Sequence, residues 1–146
     1  MRFMMFMIPG VYQNRKDGSG PVAGPEFTPP ADGVEQMMRY NEELANSGAL
    51  IALDGLTPPA RGARVSFAGG KPNVTAGPFT ESTEIVGGYW IIRAESLEEA
   101  VNWAAKCPAG EGDIIEVRPI FEMEEFPDDV KKAAKNVAVE SATSGS

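Results

Sequence analysis

Residues 74–92, VTAGPFTESTEIVGGYWII, join a loop rich in glycine, proline and hydroxyl side chains to a run of strongly β-forming residues. Glycine and proline interrupt regular structure, and the aromatic and β-branched residues of 86–93 predict a strand. A loop held at the end of a rigid strand is a common place for binding groups. The stretch matches no motif with a defined reaction, so it informs the fold more than the chemistry.

Apolar runs and helical patterns on either side of this stretch predict the remaining elements. The predicted strands are 2–8, 49–54 and 113–123, with a hairpin of 64–68 and 73–75 around Gly69 and Gly70. One helix is predicted to begin at Asp32, with Glu35 completing a capping box, and to end at Gly48. A second is predicted to begin at Ser96, capped with Glu99, and to end at Cys107. The side chains at helical spacing on the first helix are Val34, Met37, Met38, Asn41, Leu44 and Ala45.

This order of elements predicts an α+β fold of the ferredoxin-like type, with two helices on one face of a mostly antiparallel sheet. The other face must also be covered, and a second copy of the chain is the economical cover. We therefore expect a homodimer with the sheets face to face, a dimeric α+β barrel-type assembly. The domain is predicted to span 1–126, followed by a tail, 127–146, with a short helix and then disorder.

Composition excludes several classes of function. A formal net charge of -8 argues against binding to nucleic acid. The chain has one cysteine and no histidine, so we expect no metal site, no cofactor and a cytoplasmic location. The apolar start, residues 1–8, is far shorter than the ~20 residues of a membrane span.

Several ordered motifs carry a resemblance to a known family. They are Gly77-Pro-Phe followed by Glu81 and Glu84, Gly87-Gly-Tyr-Trp, Ser96-Leu-Glu-Glu-Ala-Val-Asn-Trp-Ala, Cys107-Pro and Glu116-Val-Arg-Pro-Ile-Phe-Glu. With them the chain resembles the YCII-related family, in the branch named for its D-G-P-F motif. The resemblance implies a dimeric ferredoxin-like fold and no established reaction for this branch. Ala76 stands in place of the motif's Asp and Thr83 in place of the usual Lys, and the chain lacks the histidine of the His-Asp pair proposed as catalytic elsewhere in the wider family.

Three charged residues are candidates for chemistry. Asp54 ends an apolar run, so its carboxylate must find a partner or face a cavity. Glu81, with Glu84 nearby, could act as a base if neighbouring carboxylates raise its pKa, although solvated surface carboxylates are more common. Arg118 could pair with Asp54, clamp a ligand carboxylate, or form an ion pair across an interface.

The remaining candidate binding residues are Gly77, Pro78, Phe79 and Tyr89. The first three could shape a pocket mouth, or they could form a turn that Phe79 anchors in the core. Tyr89 and Trp90 alternate along one strand, so one belongs to the core and the other to the opposite face. Cys107 lies at a helix C-terminus, which disfavours a nucleophilic thiolate.

The sequence leaves three functions open. The first is a small-molecule-binding domain with a pocket bounded by the loop after the first strand, Asp54, the Gly77-Pro-Phe loop and Arg118. The second is a cofactor-free enzyme of isomerase, lyase or oxygenase type that uses Asp54 or a glutamate as base. The third is a dimer that scaffolds another protein.

Overall fold

The computed structural model of the protein describes residues 1–80, 82 and 84–144. Within these residues, six strands and four helices follow one another, with single 3-10 turns at Gly10–Tyr12, Pro59–Arg61 and Met123–Glu125. In chain order they are β1 (Arg2–Ile8), α1 (Ala31–Ser47), β2 (Leu50–Gly55), β3 (Ala63–Ala68), β4 (Lys71–Ala76), β5 (Gly88–Arg93), α2 (Leu97–Ala105), β6 (Ile114–Pro119), α3 (Asp128–Ala134) and α4 (Val137–Ser144).

The main sheet has four antiparallel strands in the order β2-β5-β1-β6. β1 is therefore central, and each of its neighbours comes from a distant part of the chain. Together with the helices after β1 and β5, this order confirms the predicted ferredoxin-like α+β fold. No helix among the described residues is long and apolar enough to cross a membrane.

The face of the sheet that carries the core is covered by α1 and α2. Phe3 lies opposite Ile92, and Met5 lies opposite Trp90, so all four side chains share this face. Leu44 of α1 and Ala100 of α2 complete the same buried cluster. We call this side of the sheet the core face.

The opposite side of the sheet, which we call the open face, carries Met4, Phe6, Tyr89, Ile91 and Arg118. The apolar members of this set and Tyr89 are half-buried. The helices that make extensive contacts with the sheet in the described part of the chain are α1 and α2, and both pack on the core face. The prediction of two helices on one face of the sheet is therefore confirmed.

Helix ends follow the predicted signals in part. Gly48 ends α1 with a positive φ of 83°, as predicted. Asp32 as N-cap was wrong, because α1 begins at Ala31 and the extended Pro30 occupies the cap position without a side-chain hydrogen bond. Ser96 caps α2 by accepting a hydrogen bond from the Glu99 amide at 3.2 Å. The Glu99 carboxylate accepts from the amide of Glu95, one residue before the predicted partner.

The predicted hairpin forms a separate two-stranded sheet, β3-β4, and does not join the main sheet. Gly69 and Gly70 both have positive φ, 64° and 78°, as the tight turn of a hairpin requires. The pairing register places six apolar residues on one side of the ribbon, and all of them are exposed: Ala63, Val65, Phe67, Pro72, Val74 and Ala76. This hairpin is amphipathic without a described partner for its apolar side.

The last strand and the tail differ in detail from the prediction. β6 ends at Pro119, although the Ile120 amide still donates to the Arg2 carbonyl at 2.9 Å. α3 occupies the predicted short helix. α4 follows it, and none of its residues is buried.

Candidate functional site

A cavity of about 340 Å³ lies between α1 and the ends of β2 and β5. Its apolar lining comes from Met7, Val34, Met37, Met38, Leu53 and Trp90. Met37 packs against the core cluster, whereas Val34 and Met38 are 43% and 57% exposed and lie at the rim. Gly87 and Gly88 complete the wall at the start of β5. Both are closely packed, because an added Cβ would lie 2.5 Å from Pro9 Cγ at Gly87 and 3.1 Å from the Asp54 carbonyl oxygen at Gly88.

Asn41 is a polar side chain among the apolar residues that line the cavity. It is 6% exposed and lies on α1 between the positions that pack on the sheet. The indole N–H of Trp90 donates to its carbonyl oxygen at 2.8 Å. Tyr40 holds the Trp90 ring by an edge contact, with the ring centroids 5.9 Å apart. The orientation of the Asn41 amide is therefore set by groups of the core.

Asp54 and Tyr89 lie in the strand segments that form one wall of the cavity. Their side chains point to the open face of the sheet, because their neighbours Leu53 and Trp90 face α1. Asp54 and Tyr89 are directly paired across β2 and β5, and the Tyr89 hydroxyl donates to Asp54 Oδ2 at 2.6 Å. This hydrogen bond is the main reason that the pKa of Tyr89 is raised. The partner expected for the Asp54 carboxylate is thus a neighbour on the adjacent strand.

A wider depression of about 560 Å³ adjoins the cavity and shares Met7, Gly55 and Gly87 with it. Residues of the loop after β1 form its far side. Tyr12 donates its hydroxyl hydrogen to the Leu56 carbonyl at 2.7 Å, which ties that loop to the end of β2. The cavity therefore opens into a groove whose walls are held by hydrogen bonds between loops.

The loop after β1 and the loop before β5 are fastened by two amide side chains that the sequence did not single out. Gln13 donates to the Ile85 carbonyl at 2.8 Å and accepts from the Ile85 amide at 2.7 Å. Asn14 donates to the carbonyls of Phe79 and Ser82 at 2.7 and 2.9 Å. These contacts give the long loop a defined path beside the groove.

The Gly77-Pro78-Phe79 segment does not line the 340 Å³ cavity. Gly77 packs so tightly on the Pro59 backbone that an added Cβ would lie 1.7 Å from the Pro59 carbonyl oxygen. Phe79 packs against a small buried cluster of Tyr12, Ala23 and Ile85, and the Arg64 guanidinium lies 4.4 Å from the centroid of its ring. These contacts favour the interpretation of the segment as a turn anchored by Phe79.

Arg118 and Asp54 are not brought together within one chain. They lie on strands at opposite edges of the sheet, which are separated by about 14 Å across three strand spacings. The Arg118 side chain is 70% exposed and lies 3.9 Å from the Glu116 carboxylate. Glu84 is exposed, and Glu81 lies outside the described residues. Of Asp54 and Glu84, only Asp54 belongs to a strand that lines the cavity.

Cys107 has no environment that would make it a nucleophile. Burial raises the pKa of its thiol to about 11, and its Sγ lies 3.9 Å from the Met37 sulfur. Within the described part of the chain, no group of three or more Cys, Asp or Glu residues is arranged to hold a metal ion. The cavity is accordingly described by its apolar lining and Asn41, and the Asp54–Tyr89 pair lies on the opposite side of the strands that form its wall.

A comparison with models of protein families shows to which family the chain belongs. The model of the YCII-related domain matches residues 2–124, which include the whole four-stranded sheet and both helices that cover it. The chain belongs to the YCII-related family. No significant match is found among the curated proteins. The matched region of this YCII-related protein ends before α3, so the tail lies outside the family domain.

Proposed function

We propose that this YCII-related protein is a homodimeric small-molecule-binding domain whose site is the cavity between α1 and the ends of β2 and β5. The single observation that carries the proposal is the cavity itself, about 340 Å³ in volume. Ligand sites of proteins are typically apolar clefts of about 300–1,000 Å³ with a few polar groups. The proposed site has this character and needs no cofactor.

The nature of the lining supports the same proposal. Three methionines, Met7, Met37 and Met38, face the space. Methionine is flexible and polarizable, and it adapts to apolar ligands of different shape. In the core beneath, Trp90 is held by an edge contact with Tyr40 and a hydrogen bond to Asn41. An adaptable apolar lining over such a floor suits a binding site for small organic molecules.

The proposed assembly rests on the open face of the sheet. Met4, Phe6 and Ile91 place apolar side chains there, and both helices that cover the sheet lie on the other side. A second copy of the chain would bury this face by symmetric packing. We place the protein in the cytoplasm, a proposal supported by its single cysteine, which cannot form an internal disulfide.

The test is a variant that fills the cavity from its rim. Val34 lines the cavity and is 43% exposed, so a tryptophan at this position can enter the space without disturbing the core. We expect Val34→Trp to abolish binding of apolar compounds of about ten non-hydrogen atoms. The measurement is titration of isotope-labelled protein by NMR, following the signals of Met37, Leu53 and Trp90.

The matched control is Val101→Trp. Val101 lies on α2, is 46% exposed and does not line the cavity. It should bind the compounds as the unmodified protein does. The proposal fails if no apolar compound shifts the cavity signals of the unmodified protein, or if both variants bind equally well.

The Asp54–Tyr89 pair, on the open face beside the cavity, favours a second candidate, a cofactor-free enzyme. The Asp54 carboxylate can accept a proton from a bound molecule, and the Tyr89 hydroxyl, which donates its hydrogen to Asp54 at 2.6 Å, holds that carboxylate in place. The test is exchange of the α-hydrogens of a bound ketone in deuterium oxide. The protein should accelerate the exchange, and Asp54→Asn should remove the acceleration while keeping the fold. Equal exchange with both proteins excludes Asp54 as the base.

A further inference from the structure

We infer that the ligand of this cavity is an uncharged molecule with an apolar body and a carbonyl-type acceptor oxygen, which the amide of Asn41 recognises. The inference rests on the proposed function, because it names the class of molecule that the same cavity binds. It is carried by the geometry around Asn41 and by the charges that line the space.

Trp90 determines which atom of the Asn41 amide is turned to the cavity. An indole N–H donates and never accepts, so its partner at 2.8 Å is the amide oxygen. The amide nitrogen, which carries two donor hydrogens, must then point away from Trp90. The floor of the cavity consequently offers donors and not acceptors.

The donors of Asn41 are poorly used. The recorded partner of Nδ2 is the thioether sulfur of Met38, 3.7 Å away, and thioether sulfur is a weak acceptor. The side chain is 6% exposed, so bulk water has little access to it. A buried donor without a strong partner has a free-energy cost that a ligand oxygen would remove. A ligand carbonyl oxygen would therefore give the Asn41 amide hydrogens the strong acceptor that they lack.

The residues that line the cavity do not favour an anionic ligand. Among the described residues, its lining contains no lysine or arginine, and the chain has no histidine. Arg61 lines the adjoining depression and not the cavity. Transfer of an ionised carboxylate into apolar surroundings without a cation is strongly unfavourable. The organic acid that an Arg118 clamp would bind therefore does not match this cavity.

The experiment compares three compounds of similar size with the full-length protein: tetralin, α-tetralone and α-naphthoate. The readouts are dissociation constants from NMR titration and the shifts of the Asn41 side-chain amide signals. A ketone that enters an apolar site without a donor binds about tenfold more weakly than the matching hydrocarbon, because it loses hydrogen bonds to water. We expect α-tetralone to bind at least as tightly as tetralin and to shift the Asn41 amide signals. We expect α-naphthoate to bind most weakly of the three.

Two outcomes separate this inference from the proposed function. If tetralin binds at the cavity tenfold more tightly than α-tetralone, or if naphthoate binds most tightly, the inference is overturned and the binding function stands. If none of the three compounds shifts the signals of cavity residues, both fail.

Asn41→Asp provides a test at the residue itself. It keeps an oxygen for the Trp90 N–H and removes the amide donors, with almost no change in shape. We expect the affinity for α-tetralone to fall about tenfold more than the affinity for tetralin. Equal losses for the two compounds contradict recognition by the amide. Should this variant not fold, the comparison of ketone and hydrocarbon with the unmodified protein still decides the question.

Discussion

At the scale of single residues, Asn41 could have been noticed in the sequence as a polar residue in an apolar helical stripe. Asn41 occupies the helical stripe of α1 that packs on the sheet, and a polar side chain at such a position needs a partner. The partner, Trp90, lies 49 positions away in the chain, so only the fold reveals it. Asp54 was recognised because it ends an apolar run, and the Tyr89 hydroxyl meets it from the adjacent strand.

Gly77 gives the clearest prediction at this scale. A Cβ on Gly77 would lie 1.7 Å from the carbonyl oxygen and 2.7 Å from the carbonyl carbon of Pro59, so the backbone would have to move. We expect Gly77→Ala to lower the free energy of unfolding by at least ~2 kcal/mol. Urea denaturation followed by tryptophan fluorescence measures the change.

Gly24→Ala is the control for this prediction, since nothing lies within 4 Å of the Cβ that it would add. Its effect should stay within about 0.5 kcal/mol. Equal stability of the two variants would show that the segment at Gly77 is free to move. Its packing on Pro59 would then not contribute to the free energy of unfolding.

At the scale of elements, periodicity was sufficient to predict the strands of the main sheet and the two helices that cover it, and local chemistry decided the ends of these elements. β1 has the predicted bounds because its run of apolar residues is uninterrupted. The start of α1 differs because Pro30, with φ of -64°, already suits the residue before a helix and makes an acidic cap at Asp32 unnecessary. The hairpin was predicted from Gly69 and Gly70, yet its separation from the main sheet depends on contacts that no local pattern contains.

The exposed apolar side of the hairpin leads to a prediction about solubility. Phe67 is 81% exposed and lies in β3 among apolar neighbours on the same side. Phe67→Asp removes apolar surface from water without opening the core, so we expect unfolding free energy to change by less than about 0.5 kcal/mol. The concentration at which the protein begins to aggregate should rise, as measured by light scattering. A large loss of stability would mean that Phe67 packs on something in solution.

At the scale of the whole molecule, the order of elements was enough to predict the sheet, because few topologies connect strand, helix, strand, strand, helix and strand with short links. The same reasoning could not place side chains relative to one another across the sheet. Asp54 and Arg118 were considered as partners, and the order β2-β5-β1-β6 puts them at opposite edges. The amide contacts of Gln13 and Asn14, which shape the groove, join distant loops and leave no periodic trace.

The homodimer is the prediction that belongs to the whole molecule. Ile91 lies on β5 in the interior of the sheet, half-buried on the open face, opposite Met4 of β1. A lysine at this position would place an unpaired charge in the packed interface of two sheets, which is strongly unfavourable. We expect light scattering to give twice 15.6 kDa for the unmodified chain and 15.6 kDa for Ile91→Lys.

Val101→Lys is the control, because Val101 lies on the outer helix layer and is 46% exposed. It should remain dimeric. Circular dichroism must show the same fold for all three proteins, since a loss of structure would also change the mass. A folded unmodified chain that is monomeric at micromolar concentration would exclude the face-to-face assembly, because a sheet face that needs no cover in solution gives no reason for a second copy to bind there.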